Sequence, residues 1–231
     1  MAIRVDQLLA KLFRTIDSKV GLKNTIIVLS ADHGVAPKPD EKGKMPGGYF
    51  TAKAENVVSA ALSKQFGKGN WVIPGGGESA LYLNYETLAN AKSPDGKPVT
   101  LGDVSAVARR AIFETKDLHA ARVYSREQMD NGVNGDYIAQ AEMNGYYPAR
   151  SADLFIIYEP YFMPGSNGST HYTPYAYDRH VPVLFMGPGI KPGEYNTTVA
   201  PNDIAPTLAT MISTQTPSGS GGKVLTEMLT R

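Results

Sequence analysis

Apolar residues at Val5, Leu8, Leu9, Leu12, Phe13 and Ile16 recur three and four positions apart, which predicts a helix over 3–18 with one buried face. Gly21 is placed to end it. The period then changes. Thr25-Ile26-Ile27-Val28-Leu29-Ser30 is a short continuous apolar run, which predicts a fully buried strand of the kind found in a parallel sheet with helices on both faces. It runs straight into Asp32-His33-Gly34. In open α/β sheets, ligands bind at the carboxyl ends of strands.

Residues 35–50, rich in Pro, Gly and Lys, read as a long loop, and a helix is predicted over 52–65. Short strands near 70–73 and 79–84 flank Pro74-Gly75-Gly76-Gly77. A triple glycine can cradle a phosphate or turn a hairpin. Without the Lys-Ser/Thr of a P-loop, the hairpin reading carries more weight. Thr100 and Asp103 are placed to cap a helix over 103–116. A strand near 120–124 and a helix near 136–143 complete a middle region, 45–149, that reads as an α+β insertion. The core pattern resumes at Ala152–Tyr158 and again at Val181–Met186, with a polar loop, 163–180, between them. Asn202 and Asp203 are placed to cap a helix through about Ile212, and a Ser/Gly stretch, 218–222, leads to a short terminal helix.

Composition narrows the chemistry. The chain has 231 residues, is 42% hydrophobic and carries a net charge of +1, which suits a globular core and argues against disorder. A pI near 7.8 without a Lys/Arg run gives no nucleic-acid or anionic-membrane partner. Cysteine is absent, so any metal site must use His, Asp, Glu or hydroxyl ligands. Met1 runs almost at once into the first helix, so no signal peptide is expected in the chain as written.

Two loops carry the candidate chemistry. Asp32 and His33 place a carboxylate beside an imidazole at a strand end, a pair suited to zinc or a similar divalent ion. Gly34 is read as letting the backbone bend away afterwards. The competing reading makes Asp32 a turn cap and His33 a surface residue. His171 lies in a polar loop, where a histidine more often only hydrogen-bonds. His180 reads mainly as a core imidazole or one that orients a ligand, and Asp178 as a supporting or turn-forming residue. His119 is assigned no chemistry.

Four ordered segments decide between these readings. They are Val28–Gly34, Gly168-Ser169-Thr170-His171, Tyr177–Phe185 and Asp203–Ala209. In this order and spacing they resemble the C-terminal half of the alkaline phosphatase superfamily. The likeness is to the bacterial phosphate-irrepressible alkaline phosphatases, relatives of the type I phosphodiesterase/nucleotide pyrophosphatase group, and it is weakest between 45 and 149. The resemblance implies an α/β fold, the C-terminal portion of an alkaline phosphatase-like mixed sheet flanked by helices. Its core would comprise 1–44 and 150–231, with 45–149 as the insertion. It also implies two zinc ions. One, held in part by Asp32 and His33, activates a Thr or Ser nucleophile. The other, held in part by His171, binds the leaving-group oxygen.

The same resemblance implies features that these residues do not match. The nucleophile, the phosphate-gripping residues, one Asp and an Asp-x-x-x-His pair would all precede residue 1. Ser30 and Thr170 are the hydroxyls nearest the motifs, and neither has a helix N-terminus to favour an alkoxide. The chain alone is therefore expected to be inactive and to bind one zinc weakly or none. It is expected to self-associate, or to pair with an N-terminal partner chain, over an uncovered strand edge. Its substrate in the complete enzyme would be a phosphate monoester, with a diester or nucleotide pyrophosphate as the related alternative. A truncated module that binds a metal or a partner without turnover is the non-enzymatic alternative. Sulfatase-like and phosphoglycerate mutase-like relatives fit less well. The resemblance also implies a periplasmic or secreted location.

Overall fold

The computed structural model describes residues 1–39, 44, 46–77 and 79–230. The middle of the loop read at 35–50 lies partly outside them. In chain order the regular elements begin with helix α1 (Ala2–Lys19), strands β1 (Ile27–Ser30) and β2 (Gly48–Phe50), and α2 (Ala54–Phe66). Next come β3 (Val72–Ile73), β4 (Ala80–Leu83), α3 (Tyr85–Asn90), α4 (Leu101–Glu114), β5 (Ala120–Ser125), α5 (Arg126–Asp130) and α6 (Tyr137–Gly145). The chain closes with β6 (Leu154–Tyr158), β7 (Phe162–Pro164), α7 (Ala176–Arg179), β8 (Val183–Met186) and α8 (Ile204–Met211). Contacts divide the chain into two units. One comprises Met1–His33 with His180–Arg231, the other Gly34–Arg179.

The Gly34–Arg179 unit is built on a four-stranded antiparallel sheet in the order β3-β4-β6-β5. Side chains alternate across a strand, so neighbouring residues serve opposite faces. Val123 and Ile156 join Val58 and Leu62 of α2 and Val104, Ala108 and Ile112 of α4 in one cluster. Tyr124 and Ile157, one residue on, join Met129 of α5, Ile138 of α6 and Tyr175 in a second. Helices thus cover both faces of this antiparallel sheet, three of whose strands fall in the region read as an α+β insertion. The Pro74–Gly77 turn is a hairpin, with Val72 opposite Leu83. Thr100 caps α4 as its spacing indicates: its hydroxyl accepts the Asp103 N–H, and Asp103 Oδ2 accepts the Thr100 N–H at 2.9 Å. A separate parallel pair joins β2 to β7.

The other unit departs from two expectations. Strand β1 pairs antiparallel with β8, Ile27 opposite Met186 and Ser30 opposite Val183, in a two-stranded sheet. It is half-buried rather than fully buried, with Leu29 at 51% exposure. An apolar run specifies an extended backbone, but the direction of its partner depends on which distant segment meets it. Helix α1 forms as predicted and ends at Gly21 (φ +88°), whose N–H bonds the Ile16 carbonyl at 3.1 Å. None of its residues is buried, and Ile3, Val5, Leu8 and Leu12 are exposed. Periodicity creates an apolar face but does not supply the surface that would cover it.

The firmest packing in this unit surrounds α8. The buried Asp203 carboxylate makes no cap bond to α8. It accepts the Ala200 N–H at 2.9 Å and the Lys223 N–H at 2.8 Å, tying the C-terminal segment down. Thr207 adds to this by donating to the Asp203 carbonyl at 2.6 Å and accepting the Leu225 N–H at 3.0 Å. No helix among the described residues is long and apolar enough to cross a membrane.

Candidate functional site

Strand β1 ends at Ser30, and the backbone leaves the ladder before Asp32. Freed from the pleat, the adjacent side chains of Asp32 and His33 turn the same way. Asp32 Oδ1 accepts the His33 N–H at 3.0 Å, which fixes the carboxylate. Asp32 Oδ2 then lies 3.6 Å from His33 Nε2. Two ligands of one tetrahedral ion, each about 2.0–2.1 Å from it, lie about 3.3 Å apart. The spacing of this pair fits two donors of one ion. Both side chains are open, at 88% and 38% exposure, so an ion could reach them from solvent.

Gly34 serves a different purpose from the one its sequence suggests. It does not occupy the left-handed region that only glycine tolerates well. Instead, a Cβ there would sit 2.1 Å from the Tyr177 carbonyl oxygen. Its N–H donates to the Asp178 carbonyl at 2.7 Å. Two residues on, the Ala36 N–H donates to the Thr170 carbonyl at 3.3 Å, and the Ser169 hydroxyl donates to the Ala36 carbonyl. The segment that leaves the Asp-His pair is therefore stitched to the loop carrying His171.

That loop is braced from its other side by Asp178, which is buried. Its Oδ2 accepts both the N–H and the hydroxyl of Thr173, at 2.8 and 2.7 Å. Asp178 thus closes the turn after His171, the turn-forming one of its two readings. His171 is half-buried, and its ring centroid lies 3.9 Å from that of Tyr172. The structure pairs Asp32 with His33 in one unit and places His171 in the other. Among the described residues no group of three or more His, Asp or Glu side chains is clustered as a metal site. His180, read as a core or orienting imidazole, is exposed instead, because β8 does not begin until Val183. His119 stacks on Phe162 at 3.7 Å and pairs with Glu159 at 3.2 Å, a structural position.

The hydroxyls considered as nucleophiles are occupied locally. Ser30 points to the Ala31 carbonyl at 3.4 Å and Thr170 to the His171 carbonyl at 3.5 Å. Sequence reading missed Tyr172. It has φ +82° and is 80% exposed, and its ring packs against His171. The only signal in the sequence was its position after His171, because backbone strain leaves no mark on residue order.

Donor-bearing loops follow β1 and β7, with Asp32 and His33 in one unit and His171 in the other. The profile of the type I phosphodiesterase / nucleotide pyrophosphatase family matches residues 1–180, and the chain belongs to that family. It is 34% identical over 233 residues to the alkaline phosphatase PafA of Elizabethkingia meningoseptica, covering 99% of this chain and 41% of that protein. It is 29% identical over 231 residues to the alkaline phosphatase PhoV of Synechococcus elongatus, covering 98% of this chain and 40% of that protein. The crystal structure of wild-type alkaline phosphatase PafA superposes with a TM-score of 0.84 at 32% identity, over 99% of this chain and 43% of that one. The chain therefore spans about two-fifths of the length of the curated relatives it matches. Family and relatives are phosphoric ester hydrolases.

Proposed function

We propose that this chain is the metal-ligand-bearing portion of a zinc-dependent hydrolase of phosphate monoesters, acting by two-metal in-line displacement. The observation that carries the reading is the 3.6 Å spacing of Asp32 Oδ2 and His33 Nε2 at the end of β1, in a chain 34% identical to an alkaline phosphatase. Asp32 and His33 would hold the ion on the nucleophile side, and His171 would contribute to the second. When bound, the ions supply Lewis-acid stabilisation of the charge that develops on the attacking and leaving oxygens. The His33 N–H bond to Asp32 Oδ1 fixes the carboxylate and would leave its other oxygen available to an ion. The Asp178 clamp on Thr173 restrains the loop that presents His171.

The nucleophile comes from polypeptide outside these 231 residues, so this chain alone turns nothing over. Support comes from the two-fifths coverage of the relatives. The exposed apolar face of α1 and the half-open strands β1 and β8 are where the complementing polypeptide packs, with self-association the competing occupant. Location in the periplasm or outside the cell accompanies this reading. A diesterase or nucleotide pyrophosphatase is the second reading, favoured by the family profile.

Zinc calorimetry on the wild type and His33→Ala tests the metal claim. The wild type should take up one ion weakly, and the variant should lose at least about tenfold in affinity. A tight stoichiometric pair of ions in this chain, or an unchanged His33→Ala isotherm, would overturn it. Hydrolysis of p-nitrophenyl phosphate by the isolated chain at alkaline pH with zinc would refute the need for a complementing segment.

A further inference from the structure

A cavity of about 530 Å³ opens beside His171. The buried Tyr158 and the half-buried Phe162 give it an aromatic lining. Gly75 and Gly77 also line it and put no side chain into the space. At the rim, His171 and Tyr172 present adjoining rings. The volume is in the range of small-molecule sites, which combine apolar walls with a few convergent polar groups. The aromatic lining favours a flat, apolar group.

Tyr172 gives the cavity its direction. A non-glycine residue at φ +82° costs about 1–3 kcal/mol, and such strain persists where surrounding structure holds it for a purpose. Here it holds a large aromatic ring 80% exposed, against the imidazole read as a metal ligand. A ring buried in a core would need no functional account, but an exposed and strained one is poised to stack.

We propose that this cavity receives the non-transferred organic group of the substrate, and that Tyr172 stacks on it. The preferred substrates are then phosphate monoesters of aromatic or similarly flat alcohols. The inference rests on the proposed role of His171 in phosphate-ester chemistry, which places the ester oxygen at the cavity rim.

The test is a set of isotherms on the zinc-loaded chain with phenyl phosphate and methyl phosphate, alongside phenol without zinc. The wild type should prefer phenyl over methyl phosphate about 2- to 12-fold, the range of one aromatic stacking contact. Tyr172→Gly should abolish that preference, and Tyr172→Phe should keep it. Glycine is relaxed at this backbone position, so the variant should fold, which its thermal melt checks. Equal binding of phenyl and methyl phosphate by the wild type, or an undiminished preference in Tyr172→Gly, would overturn the proposal even where zinc binds as predicted. If zinc fails to bind but phenol still does so in a Tyr172-dependent way, the metal reading fails and the cavity stands. Absence of all aryl binding overturns the cavity claim.

Discussion

Replacing Gly34 with alanine probes the close approach of the segment after His33 to the Tyr177–Asp178 backbone. The new methyl carbon would sit 2.1 Å from the Tyr177 carbonyl oxygen, 3.1 Å from its carbon and 3.4 Å from the Asp178 Cα. All three are backbone atoms, so no side chain can swing away to make room. Overpacking of this kind costs about 1–3 kcal/mol. The displacement also breaks the 2.7 Å bond from the Gly34 N–H to the Asp178 carbonyl, worth about 0.5–1.5 kcal/mol. Together the loss is about 2–4 kcal/mol, which for a domain of this size lowers Tm by about 4–16 °C. Because Asp178 also clamps Thr173, the shift should reach the loop that carries His171. Calorimetric melting of Gly34→Ala measures the effect. Gly193→Ala is the control, since its nearest neighbour stands at an ordinary 3.6 Å. A Gly34→Ala melt within about 1 °C of wild type would refute the steric argument.

Two further outcomes follow from buried polar groups. Asp153, 1% exposed, accepts Arg126 Nε at 2.7 Å, the Tyr85 hydroxyl at 2.7 Å and the Leu83 N–H at 2.8 Å. Asp153→Ala strands the Arg126 guanidinium, so urea unfolding should show a loss of about 3–5 kcal/mol; a loss under about 1 kcal/mol would contradict the network's role. Burial, reinforced by Tyr177 and Tyr137, pushes the Tyr175 hydroxyl from 10.0 up to about 12. A folded value above the unfolded one means its stabilising contribution is complete below pH 10 and drains away as pH rises from about 10 to about 12. Stability measured across that window should fall less steeply in Tyr175→Phe than in wild type; identical slopes would reject the assignment.

Much of this protein was legible in its residue order. Helix α1, the hairpin at Pro74–Gly77, the Thr100–Asp103 cap and the strand at Leu154–Tyr158 are local consequences of periodicity and turn chemistry. Asp32-His33 at a strand end, with three further ordered segments, sufficed to place the chain in its family, because adjacent donors and their flanking strand are contiguous in sequence. Tertiary structure decided what depends on distant partners. It paired β1 antiparallel with β8, exposed His180, and turned the Asp203 carboxylate to Ala200 and Lys223 instead of α8. It made Gly34 a matter of close approach to Tyr177 rather than of backbone freedom. It also brought Gly75, Gly77, Phe162 and Tyr172 around one cavity. Residue order records local backbone preference and donor type, whereas steric contact and enclosure arise only when separate segments meet.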